Sequence, residues 1–168
     1  MSFRAESRVL LGWRWVSGGE DNDHLEFYEA FEDGDEDNEA NAIWYLEDVT
    51  LTSGNSTTYD LTALARTAFG ETLTHLFYLV KEIFIVVTST TGGTLLVGAA
   101  AADEWSEPFG ADGDIVKVPP DSPLLLANRV GGWSVDSSNK DLKVAASGGD
   151  VTYSIAIIGT ITLGGSGS

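Results

Sequence analysis

Asp33, Asp35 and Asp37 form a D-x-D-x-D pattern, the opening of a loop whose alternate carboxylates converge on a hard cation such as calcium. The pattern then departs from such a loop. Asn38 stands where the tight turn wants glycine, and Trp44 stands where a bidentate acid belongs. The three aspartates are the candidate metal ligands, and the chemistry expected of them is loose capture of calcium or another cation by a solvated acidic loop. His24 and His75 lie in unrelated contexts, one in an acidic turn and one entering an apolar strand. Zinc would need three or four ligands of defined spacing, and the chain has no cysteine. No G-x-S-x-G elbow, P-loop or dinucleotide fingerprint occurs. The G-G-x-x-x-V run at 92–97 reads as a turn entering a strand. A carboxylate pair for glycoside hydrolysis is defined in space and not along the chain, and with 26 acids two will meet by chance. No enzyme and no cofactor are expected.

The tryptophans are the other residues with chemistry to offer. Trp13, Trp15 and Trp44 lie in strand-like segments, where a large amphipathic ring serves a core or a subunit interface more often than a sugar platform. Trp105 lies in a loop and is the best candidate for an exposed ring. These four are the interface candidates, and Trp105 is the residue on which a carbohydrate-binding reading would rest.

Such residues must be carried on a framework, and composition bounds it. With 168 residues, 43% of them hydrophobic, the chain can bury the core of one domain. Its 19 glycines suit many tight turns. Half of the acid is concentrated: 13 of the 26 Asp and Glu residues lie between Glu20 and Asp48, and no Lys or Arg occurs from Trp15 to Ala65. The formal charge of −17 with only nine Lys and Arg argues against a nucleic-acid partner, because phosphate contacts need clustered cations. It equally suits a saline habitat or a crowded assembly. The N-terminus lacks the pattern of a secretory signal. The longest apolar run, Leu76 to Val87, is interrupted by Lys81 and Glu82 and is too short to span a bilayer, so no membrane is expected.

Residues 8–16 alternate, with Val9, Leu11, Trp13 and Trp15 on one face and Arg8, Leu10, Arg14 and Val16 on the other. The Ser17-Gly18-Gly19 turn and a second strand over Leu25 to Phe31 predict an N-terminal hairpin, followed by an acidic loop over 33–42. Strands are then expected at 43–52 and 57–61, with one or two helical turns over 62–70 ended by Gly70. Further strands are expected across 73–89 and at 94–98, 115–118, 124–127, 133–135, 142–146 and 151–158. Lys81, within the most apolar strand, should pair with an acid or sit at an edge. Short strands joined by Gly and Asp/Asn turns predict an all-β chain, an antiparallel β-sandwich of jelly-roll type. The division expected is 1–42 for the N-terminal strands and acidic loop, 43–162 for the sandwich domain and 163–168 for a flexible tail.

The runs ANAIWYLEDVTLTSGNSTTYDLTALARTAFGETL (40–73), VKEIFIVVTSTTGGTLLVGAAAADEW (80–105), GGWSVDSSNKDLKVAASGG (131–149) and VTYSIAIIGT (151–160) resemble a small β protein found among the structural genes of tailed phages and prophages. The resemblance fits residues 1–40 least, and it departs at Pro119-Pro120-Asp121-Ser122-Pro123, where those proteins carry a Gly-Gly turn. It implies a non-enzymatic virion component, foremost a capsid decoration or cement protein. Such a protein would sit on the capsid exterior as a homotrimer, with the major capsid protein and itself as partners. It brings no catalytic residues. A tail tube or terminator subunit is the structural alternative, and a carbohydrate-binding module or adhesin is the alternative from another class.

Overall fold

The computed structural model describes residues 2–16, 19–68 and 70–162. Among them fourteen strands follow one another: β1 (Ala5–Val16), β2 (Glu20–Asp33), β3 (Glu39–Ala40), β4 (Ala42–Leu51), β5 (Ser56–Asp60), β6 (Leu64–Ala68), β7 (Glu71–His75), β8 (Phe77–Val87), β9 (Thr94–Gly98), β10 (Ile115–Val118), β11 (Ser122–Ala127), β12 (Trp133–Ser134), β13 (Asp141–Ser147) and β14 (Val151–Ile161). Among the described residues the helical turns expected over 62–70 are absent. Leu64–Ala68 pairs antiparallel with Glu71–His75 instead, because Leu64 is buried in the core and holds its segment extended. Helix propensity in a short Ala-rich stretch is a weak preference that such packing overrides. The tail expected over 163–168 lies outside the described residues.

Eight strands form the body. Their pairing is nested: β9 with β10, β8 with β11, β5 with β13, and β4 with β14, all antiparallel. Lateral pairing of β13 with β9 and of β14 with β8 closes two sheets, in the orders β10-β9-β13-β5 and β11-β8-β14-β4. A long hairpin rolled up in this way is a jelly roll. The crossing at one end needs glycine: a Cβ at Gly93 would collide with the carbonyl oxygen of Gly149, so the turns after β8 and β13 can stack only without side chains.

The two sheets face one another through alternate residues. Ile83, Ile85 and Val87 of β8 and Val151, Tyr153, Ile155 and Ile157 of β14 meet Leu95, Val97, Leu142 and Val144 of the opposite sheet. The Tyr59 and Tyr153 hydroxyls bond across the gap at 2.6 Å, and burial raises both phenol pKa values. Trp44 and Trp105 also belong to this core; for Trp44 that is one of the two roles its strand position allows, while Trp105, expected as an exposed ring in a loop, is enclosed instead. Trp44 packs edge-on to Tyr59 and donates its Nε1–H to the Ala65 carbonyl at 3.0 Å. Trp105 is 0% exposed, meets Phe109 and Trp133 edge-on and donates to the Ser134 carbonyl at 2.7 Å. A loop can bury a tryptophan when its one polar atom is bonded.

Candidate assembly surface

The strands β1 and β2 pair over their whole common length, from Ala5 opposite Phe31 to Val16 opposite Glu20. Among the described residues this ribbon is tied to the body at its base. β2 continues into a short parallel pairing with β3. Phe31 is buried with Ala40 and Ile158, and the Arg129 guanidinium lies 4.2 Å from its ring centre while donating to the Ala30 carbonyl at 2.7 Å. The Ser7 hydroxyl donates to Glu82 Oε1 at 2.5 Å. Glu82 is buried on the outer face of β8, and desolvation raises its pKa against the opposing effects of Ser7 and Arg129. Its second oxygen has no hydrogen-bond partner among the described residues.

The acidic segment expected as a free loop over 33–42 is shorter and better held than its composition suggests. Glu39 accepts a hydrogen bond from the Glu36 amide at 3.0 Å, and the Asn38 amide donates to the Arg129 carbonyl at 3.1 Å. Lys81, buried beneath it, donates to the Val130 carbonyl at 2.7 Å and reaches the Glu36 carbonyl at 3.4 Å. Burial lowers the Lys81 pKa, while the nearby charges of Asp37 and Glu39 raise it. The lysine therefore meets the acidic loop as anticipated, but through backbone oxygens. Asp33, Asp35 and Asp37 do not converge: Asp33 ends β2, Asp35 accepts from the Tyr78 hydroxyl at 3.4 Å, and Asp37 acts on Lys81. Among the described residues no three His, Asp or Glu side chains gather as a metal requires. The alternate aspartates lack the turn glycine that would fold them round an ion.

His75, at the end of β7, is buried beside Phe77, and desolvation lowers its pKa. His24 is exposed on the ribbon. The two do not form a site. Asp60 and Lys140 pair at 2.7 Å at another edge of the body.

Above its base the ribbon has two unlike faces. By the strand register, Val9, Leu11, Trp13, Leu25 and Phe27 share one face, while Arg8, Leu10, Arg14, Glu26 and Tyr28 share the other. Arg8 and Glu26 form an ion pair there at 2.7 Å. The apolar face is uncovered: Leu11 is 62% exposed and Leu25 66% exposed. Trp13, 41% exposed, lies on this face, and the side chain of Trp15 lies outside the described residues.

A second uncovered apolar surface lies on the outer face of the β11-β8-β14-β4 sheet. Phe84, 41% exposed, stands at its centre, with Ile43, Val86 and Ala156 around it and Tyr45 at its side, the Arg66 guanidinium lying 3.9 Å over the Tyr45 ring. Between this face and the ribbon base opens a cleft of about 280 Å³, bounded by Ser7, Val9, Glu82, Phe84, Leu125 and Ile158. Sequence reading missed this face. Its trace was there, since residues 83–87 are apolar at every position, the mark of a strand covered on both sides. No protein-family model matches the sequence, and no curated protein matches it.

Proposed function

We propose that this chain is a non-enzymatic structural protein of a tailed-virus particle, a decoration or cement protein that attaches to the outer shell as a homotrimer. Its partners are the major capsid protein and further copies of itself. The observation that carries this reading is the ribbon: a long antiparallel pair whose apolar face has no cover among the described residues. Apolar surface of this extent on a folded body marks an association site. A rigid jelly roll with a projecting arm suits repeated attachment, in which many modest contacts add up across neighbouring capsomers. The resemblance of residues 40–73, 80–105, 131–149 and 151–160 to small tailed-phage structural proteins agrees with the same reading. Burial of Trp105 removes the residue on which a sugar-binding reading rested.

The test uses particles prepared with and without the protein. Purified chain added to bare particles should co-sediment with them, and complete particles should survive heat and osmotic shock better than bare ones. Equal survival together with failure to co-sediment contradicts the proposal. Stacked rings or tubes formed by the pure protein would move it to the tail.

A further inference from the structure

The molecule carries two uncovered apolar surfaces, and they are of different kinds. One is the ribbon face of Val9, Leu11, Trp13, Leu25 and Phe27. The other is the sheet face around Phe84. We propose that they are the two halves of one contact: the ribbon of each copy lies on the Phe84 face of a second copy. This inference rests on the homo-oligomer in the reading above and specifies how that oligomer is built.

A copy cannot make the contact with itself in this arrangement. The Ser7–Glu82 bond, the Arg129 contacts with Ala30 and Phe31, and the β2–β3 pairing fix the angle at which the ribbon leaves the body. Only Val9 of its apolar face reaches the cleft beside Phe84, while Leu11 and Leu25 stay exposed.

Area favours a second copy as the occupant. Five side chains at 41–66% exposure give the ribbon face on the order of 500 Å² of surface. One ribbon given and one received would cover on the order of 1,000 Å² of each copy, enough for a specific interface. By the strand register Arg8 and Arg14 lie on the opposite face of the ribbon from Leu11 and Trp13, so the contact is carried by the apolar area of the two surfaces and not by charge. Because the two surfaces differ, the contact is head-to-tail, and in the homotrimer proposed above it closes as a ring of three.

The absence of cysteine makes the test direct. Leu25→Cys and Phe84→Cys are prepared as separate full-length variants and treated with a short bis-maleimide, each alone and as a mixture. The mixture should give a cross-linked pair containing one chain of each kind, and neither variant alone should cross-link. Light scattering should show that Leu11→Ser/Leu25→Ser and Phe84→Ser each fall to single chains with an unchanged β-sheet circular dichroism spectrum. Cross-linking within each single variant but not in the mixture would overturn the inference, since like surfaces would then meet. So would a doubly substituted chain that cross-links only within itself, with the ribbon folded onto its own body. If the wild-type chain is oligomeric while the serine variants remain so and the mixture does not cross-link, this contact is wrong and the oligomer stands. Failure to bind particles overturns the function reading separately.

Discussion

The body and the ribbon are written in the same alternating pattern and come to opposite ends. In β14 alternation places Tyr153, Ile155 and Ile157 against a second sheet. In β1 it places Val9, Leu11 and Trp13 against solvent. Alternation states which side chains share a face, whereas the presence of a covering layer depends on where the rest of the chain goes. The tryptophans show the same contrast: Trp44 and Trp105 are enclosed with their N–H groups bonded, and Trp13 stands open. The body is enclosed within one chain, and the ribbon's apolar face is uncovered among the described residues.

The sharpest way to break this contrast is to truncate one ring in each region. Trp105→Ala should lower the unfolding free energy by about 3–5 kcal/mol, the cost of a large cavity and a stranded carbonyl. Trp13→Ala should change it by no more than about 0.5 kcal/mol when urea unfolding is followed at dilutions where the chain is single. Comparable losses at both sites would mean that the ribbon is packed in the monomer.

The Tyr59–Tyr153 bond sharpens the account of the body. Tyr153→Phe leaves the Tyr59 hydroxyl buried without its partner and should cost about 1–3 kcal/mol. Replacing both tyrosines with phenylalanine should cost less than the sum of the single changes. An additive result would show that the two hydroxyls are not coupled.

The two regions should also answer pH in opposite senses. Glu82, at the ribbon base, has its pKa raised above the ordinary 4.5, chiefly by burial, so the folded state holds its proton more tightly. Its contribution is greatest below that value and declines as pH rises through the raised pKa. Asp60, in the body, has its pKa lowered below 3.8; desolvation opposes this, and the Lys140 and Thr62 bonds outweigh it. Its contribution is present above 3.8 and is lost as pH falls through the lowered pKa. Glu82→Gln should flatten the first dependence and leave the second unchanged in thermal melts across pH. The smallest effect belongs to the acidic loop, where calcium should raise the melting temperature no more than magnesium at equal concentration.

Much of the body was legible in the sequence. The strand at 115–118 coincides with β10, that at 94–98 coincides with β9, and the faces of β14 follow from its alternation alone. The N-terminal hairpin was legible from two alternating runs about a Gly-Gly turn, although β2 begins five residues earlier than its apolar pattern, because exposed acids can pair in a ribbon as well as apolar residues can. Residues 62–70 misled because local propensity favours helix where Leu64 must reach the core. Trp105 misled because an irregular segment was taken to be an exposed one. The outer face around Phe84 was hidden because Ile43, Tyr45 and Phe84 come together only through the lateral order of β4, β14 and β8.

Amide hydrogen exchange on the unmodified chain, at a concentration where it assembles and again after dilution to single chains, tests the central claim most directly. The account predicts that body strands β8, β13 and β14 are protected equally in both conditions, while amides across residues 8–28 gain protection only in the assembled state. Equal protection of residues 8–28 at both concentrations would contradict it, because the ribbon would then need no second copy to be complete.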